Sequence, residues 1–155
     1  MIRRTLENSI VIDRSPEEVF AYVTQPWRWH EWHPSSRSAR AEVSQLAVGD
    51  HFDEVIQLQP LSPIPLTVTR QTRYTVRQSQ PGECWEVHGV TADGALTIHY
   101  QFRRHEGGTL FHRRLDYEVR GAMQLIEPWL LLPRMRRLSA RALANLKARL
   151  EPVAC

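Results

Sequence analysis

Between residues 41 and 120 apolar and polar positions alternate with a period of two, and on either side of that stretch the period is helical. Turn signals interrupt the alternation at strand spacing. They are Gly49-Asp50, a proline-rich stretch over 59–65, Pro81-Gly82, Asp93-Gly94 and Gly107-Gly108. This pattern predicts an antiparallel meander of about six strands. Residues 3–13 also alternate, with Leu6, Ile10 and Ile12 on one side, and add a further strand. A helix start follows: Ser15 as cap, Pro16 at the first helical position, Glu18 completing a capping box, and Val19, Phe20 and Val23 as the apolar face. Pro26 ends that helix, and residues 27–34 form a second short helix or ordered loop. After Gly121 the helical period returns, with Met135, Leu138, Ala142, Leu146 and Leu150 in one stripe. Pro128 and Pro133 are expected to break its approach, leaving a continuous helix over about 134–150.

The turns also predict registers. A two-residue turn at Asp93-Gly94 pairs Val87 with Tyr100 and Trp85 with Phe102, and sets His88 opposite His99. Pro81-Gly82 places Val76 opposite Val87. Across the proline-rich stretch Leu58 faces Leu66 and Ile56 faces Val68, which sets Glu54 opposite Arg70. One sheet face then carries Phe52, Tyr74, Trp85, Tyr100, Phe102, Phe111 and Tyr117, and the other carries His88, His99 and His112. A sheet with one apolar and one polar face is covered on one side only, and the C-terminal helix is the one large element left to cover it. Glu54, Arg70 and Arg113 interrupt the apolar face. A charge on a covered face is costly unless it is paired or meets water or a polar ligand, so Glu54 and Arg70 are expected to form a structural ion pair, or else they, or Arg113 with Tyr100, form the polar end of a pocket.

Composition narrows the function classes. With 155 residues, 42% hydrophobic and 24% charged, the chain is an ordinary globular domain, spanning 1–155, and not a disordered or fibrous one. No apolar run reaches the roughly 18 residues of a membrane span, and no secretory signal core follows Met1. Cys84 and Cys155 make neither a disulfide framework nor a zinc site, so a cytoplasmic location is expected. The net charge of +3 does not call for DNA. Arg134, Arg136, Arg137, Arg141, Lys147 and Arg149 make the last helix basic, which admits RNA or membrane contact, although a solvated face is the simpler expectation. His30-Glu31-Trp32-His33 lacks the spacing that puts two histidines on one helical face, so no metal is expected. Trp29 and Trp32 are instead expected to pack at a cavity rim. Pro60-Leu61-Ser62-Pro63 has the spacing of an SH3 ligand but reads as a stiff connection. No phosphate loop, dinucleotide fingerprint or nucleophile elbow is present, and no cofactor is expected.

Several segments together resemble a known superfamily. They are Ser15-Pro16-Glu17-Glu18-Val19-Phe20-Ala21-Tyr22-Val23 after a strand, Trp29-His30-Glu31-Trp32-His33-Pro34, Val48-Gly49-Asp50-His51-Phe52, Gly107-Gly108-Thr109 and Leu143-Ala144-Asn145-Leu146-Lys147. The chain resembles the START-like, Bet v 1-type superfamily, in its polyketide cyclase/dehydrase branch. The resemblance implies an α+β helix-grip fold: a curved antiparallel sheet of about seven strands around a long C-terminal helix, with two short helices after the first strand. It also implies a cavity for a small hydrophobic or amphipathic ligand such as a lipid, a quinone or a polyketide-like molecule. The alternatives are a cyclase/dehydratase-type enzyme without metal or nucleotide cofactor, and a partner- or RNA-binding module. The superfamily shares no catalytic set, so none is carried over. The expected ligand-binding residues are Trp29, Trp32, Phe52, Glu54, Arg70, Tyr74, Trp85, Tyr100, Phe102, Phe111, Arg113 and Tyr117.

Overall fold

The computed structural model describes residues 1–58 and 67–151. Its seven antiparallel strands are β1 (Ile2–Ile12), β2 (Ser36–Ala41), β3 (His51–Leu58), β4 (Val68–Gln80), β5 (Cys84–Thr91), β6 (Gly94–His105) and β7 (Gly108–Val119). They lie side by side in the order β1-β7-β6-β5-β4-β3-β2. Irregularities between Ser36 and Ser38 and between Val76 and Gln78 interrupt the ladders, the kind of feature that bends a sheet. Between β1 and β2 lie the helix α1 (Pro16–Val23) and a 3₁₀ turn over Pro26–Glu31. The Ser15 hydroxyl caps α1 by accepting from the Glu18 N–H at 3.2 Å. The proline-rich connection 59–66 and residues 152–155 lie outside the described residues, and with them the Pro60–Pro63 spacing and Cys155.

The C-terminal helix begins about ten residues earlier than its sequence predicts. It comprises α2 (Met123–Ile126), a π-helical turn over Glu127–Leu131 and α3 (Leu132–Leu150), which follow one another without interruption. Each proline sits at the second residue of a new segment, Pro128 in the π turn and Pro133 in α3. There the missing N–H and the ring are tolerated, so they reset the helix without ending it. Ala142, Leu143 and Leu146 are buried on the apolar side, while Leu138 and Leu150 are half-buried. Lys147 donates to the Val11 carbonyl at 2.6 Å and Arg149 to the Glu31 carbonyl at 3.1 Å, tying the end of the helix to β1 and the 3₁₀ turn.

The expected single apolar face is observed, but two registers differ. β5 and β6 close through Ala92 and Asp93, so Trp85 pairs with Tyr100 and Val87 with Ile98. His88 therefore meets Thr97, and His99 meets Glu86. Gly94 is a strand residue there: a Cβ on it would come within 1.9 Å of the Glu118 carbonyl oxygen. Its lack of a side chain serves the close approach of β7 and not the turn. Leu58 pairs with Val68, which places Ile56 opposite Arg70 and Glu54 opposite Thr72. The expected pairing of Glu54 with Arg70 is not formed. Arg70 Nε instead donates to Asp93 Oδ2 at 2.6 Å. The strand 36–41 also begins the meander earlier than the pattern indicated. Val76 opposite Val87 is as expected, and Arg113 pairs with Tyr100.

Candidate ligand cavity

The space between sheet and helix is filled at one end and hollow at the other. At the α1 end aromatic side chains close it. Phe52 stacks on Tyr74 with ring centres 4.8 Å apart, and Trp85 on Tyr100 at 5.4 Å. Trp29 meets Phe52, Tyr74 and Trp85 edge-on at 5.5–6.1 Å, an arrangement aromatic quadrupoles favour. Its indole N–H donates to the Val23 carbonyl at 2.8 Å, fixing the 3₁₀ turn against α1. Phe102 and Phe111 pack between Tyr100 and Phe20.

At the other end a cavity of about 150 Å³ opens. Its lining reaches the ends of β3, β5 and β7 and the start of α2. Leu58, Val68, Met123 and the ion pair of Arg70 with Asp93 belong to this part of it. Leu96, Ile98, Leu115, Val119, Met135 and Leu138 supply apolar wall. Deeper in, the lining turns polar, with Glu54, Tyr74, Tyr100, Arg113, Ser139 and the pair His33 and Ser35.

Of the twelve residues expected at the site, Trp29, Glu54, Arg70, Tyr74, Tyr100, Arg113 and Tyr117 line the cavity. Phe52, Trp85, Phe102 and Phe111 lie in the closed aromatic end, and Trp32, 1% exposed, is packed away from the cavity with its carbonyl accepting from Asn145. Sequence reasoning missed Ser139 and His33. Ser139 is a small polar residue on the apolar side of α3, and that break in the stripe was its one available signal. His33 carries no signal of its own in the sequence beyond its place in a polar and aromatic segment.

Electrostatically the polar end is unusual. Arg113 is 4% exposed and its Nη1 makes one long hydrogen bond, 3.4 Å, to Ser139 Oγ. Among the described residues its Nε–H has no acceptor and no carboxylate forms an ion pair with it. Glu54, also 4% exposed, accepts from the Tyr74 hydroxyl at 3.1 Å. Burial pushes its carboxyl up to about 7, against the opposing pull of Ser36, Tyr74 and Arg113. Burial raises the Tyr100 phenol to about 12, with Arg113 beside it acting in the other direction. Burial, and secondarily Arg113, lowers the His33 imidazole to about 3, so it is neutral at physiological pH. The ring accepts at Nδ1 from the Ser35 N–H at 3.3 Å and shares a 2.9 Å contact with the Ser35 hydroxyl.

A second buried carboxylate closes the helix onto the sheet beside the cavity. Glu127, fully buried in the π turn, accepts from Arg4 at 3.0 and 3.1 Å and from the Tyr117 hydroxyl at 2.8 Å. Among the described residues no group of His, Cys, Asp or Glu side chains is placed to hold a metal, and no helix is long and apolar enough to cross a membrane.

A sheet gripping a C-terminal helix around an internal cavity defines a class of ligand-binding proteins. The sequence matches the family described as polyketide cyclase / dehydrase and lipid transport over residues 3–151, and the chain belongs to that family. Solved structures share the fold. The Zhui aromatase/cyclase from Streptomyces sp. R1128 superposes with a TM-score of 0.72 at 10% identity, covering 97% of this chain and 94% of that one. A protein from Thermus thermophilus does so with 0.73 at 13%, covering 95% and 97%. Ara h 8.0201 gives 0.66 at 8%, covering 96% and 98%. Among curated proteins none matches the sequence.

Proposed function

We propose that this protein binds a small amphipathic molecule in the cavity between its sheet and C-terminal helix. The observation that carries this reading is the cavity's build: apolar walls leading from one sheet end to a few buried polar groups. Small-molecule sites have this division, with apolar surface supplying affinity and a few polar atoms fixing orientation. Size sets the ligand class. A cavity of about 150 Å³ accepts a molecule the size of one aromatic ring or a short acyl chain. A folded polycyclic chain asks for more room, because sites for larger ligands run to roughly 300–1,000 Å³. Volume therefore favours a binding role for a one-ring or short-chain ligand over the cyclase alternative.

The test uses 4-phenylbutan-1-ol, one ring on a short polar-ended chain. Saturable binding, followed by Trp29 fluorescence and a rise in melting temperature, is the expected result. Leu138→Trp places an indole in the cavity from the half-buried side of α3 and is expected to abolish both responses while leaving the unliganded melting temperature within a few degrees. Undiminished binding by that variant would put the ligand elsewhere.

A further inference from the structure

Resting on that reading of the cavity, we infer that Arg113 is the anchor for a carboxylate, so that the ligand is a small aromatic or short-chain monocarboxylate that enters with its acid end inward. A guanidinium presents five N–H donors in a planar fork and does not deprotonate in proteins. Buried without an anion it retains much of its desolvation cost, which is why buried arginines are normally paired. Arg113 is 4% exposed, yet its described partners amount to the 3.4 Å bond to Ser139 Oγ and the neighbouring Tyr100 hydroxyl, with Nε–H unused. The segments outside the described residues, 59–66 and 152–155, contain no acidic side chain in their sequence.

The other arginines of the chain show what a satisfied one looks like here. Arg4 holds Glu127, Arg28 holds Glu31 at 2.9 Å and Arg70 holds Asp93. All three are more exposed than Arg113, so the most deeply buried of the four is the one without a counter-charge among the described residues. Glu54 does not fill that role. It makes no ion pair with Arg113, it is engaged by Tyr74, and burial favours its neutral form up to about pH 7. A neutral Glu54 is itself a donor, and with the Tyr100 hydroxyl and Ser139 it leaves the pocket rich in N–H and O–H groups around one fixed positive charge. An incoming carboxylate is the planar, two-oxygen acceptor that such a set matches. Neutral heads would satisfy fewer donors and leave the charge unpaired, and an amine would be repelled.

The inference predicts discrimination between heads on an identical body. Titrations of the full chain at pH 6 with 4-phenylbutanoate and 4-phenylbutan-1-ol should give about 10- to 100-fold tighter binding of the acid, the range for hydrogen bonds to a charged partner. Arg113→Met should lose that preference, binding acid and alcohol alike, and it should melt no lower than wild type, because it removes an unpaired buried charge. Arg113→Lys should retain part of the preference. Equal affinities of wild type for the two probes, or an undiminished preference in Arg113→Met, would overturn the carboxylate assignment and leave the cavity reading intact. Binding of neither probe would overturn both. The ratio for wild type decides the matter even if a variant fails to fold.

Discussion

The Tyr74 hydroxyl donates to Glu54 Oε1 at 3.1 Å along a diagonal of the β3–β4 ladder, since Tyr74 pairs with Phe52 and Glu54 with Thr72. That contact softens the burial of Glu54 without cancelling it, and the carboxyl stands at about 7. His33, in the same cavity wall, is displaced in the opposite direction, to about 3. The two leave opposite signatures on stability. An unfolded carboxyl ionises near 4.5, so between there and about 7 rising pH stabilises the unfolded chain relative to the folded one, by about 3 kcal/mol in all. An unfolded imidazole takes its proton near 6.5, so falling pH from there toward 3 also favours unfolding. From pH 4.5 to 6.5 the slopes oppose one another. Glu54→Gln should therefore lose stability on acidification through this window faster than wild type, and His33→Asn should lose less or gain. Urea unfolding at several pH values measures it, and three parallel curves would remove the burial argument for both residues.

The grip of helix on sheet should depend on a single leucine. Leu146 is fully buried in the sheet-facing side of α3, and Leu150, one turn on, is half-buried. Leu146→Ala should cost about 2–5 kcal/mol, the range for emptying a packed core site, and Leu150→Ala clearly less. Leu146→Asp adds an unpaired buried carboxylate and should exceed both. Melting of Leu146→Asp within a degree or two of wild type would show that α3 does not seal the core.

Arg4 and Glu127 lie 123 positions apart in the chain and form the fastening between β1 and the π turn. Burial alone would raise Glu127, but the hydrogen bonds from Arg4 and Tyr117 outweigh it and hold the carboxyl below its usual range. Stability from this group is present above about pH 4.5 and lost as pH falls through its depressed value. Arg4→Met should lower stability at pH 7 by more than the loss of a fully exposed pair would, because it leaves the buried Glu127 carboxylate with the Tyr117 hydroxyl as its one remaining side-chain partner. The gap to wild type should narrow below pH 4.5 as Glu127 takes a proton in both chains. A variant as stable as wild type at pH 7 would mean that Tyr117 alone suffices.

These groups also mark how far the sequence could be read. Both register errors were shifts of two residues, and a shift of two returns every side chain to the same face. The apolar face, the strand order around the hairpins and the need for a covering helix thus survived wrong turn placements. Partner identities did not. Nothing in a period-two pattern distinguishes Leu58 opposite Leu66, which sets Glu54 against Arg70, from Leu58 opposite Val68, which sets Glu54 against Thr72. Gly94 misled for a related reason: glycine marks turns and close approaches alike, and here the carbonyl of Glu118 required it. The Gly107-Gly108 turn makes the place of Arg113 on the apolar face legible but leaves Tyr100 and Phe102 as its alternative neighbours, and the ladder selects Tyr100. Glu127 was not legible, since prolines at 128 and 133 hid the π turn that carries the helix through, and Ser139 offered no more than a polar break in the apolar stripe.

The last prediction tests how tightly the cavity's polar end is set. Gly89 pairs with Tyr74 across β4 and β5. A Cβ on Gly89 would fall 2.6 Å from Thr72 Cγ2 and 2.7 Å from Tyr74 Cε1, closer than carbon atoms tolerate. The Tyr74 ring lies in the space a side chain would take, and its position delivers the hydroxyl to Glu54. Gly89→Ala must push that ring toward Phe52, which is stacked on it at 4.8 Å and is itself buried. Overpacking of this kind costs about 1–3 kcal/mol. The effect should reach beyond stability: with the hydrogen bond lengthened, Glu54 loses one of the groups holding its value down. Its titration should move upward from about 7, read by ¹³C NMR of the labelled carboxyl. Tyr74→Phe removes the same bond without the clash and should produce the same upward shift with little overpacking cost. A shift in Tyr74→Phe but none in Gly89→Ala would mean that the ring yields in a direction that preserves the bond, and Gly89 would then matter for packing alone.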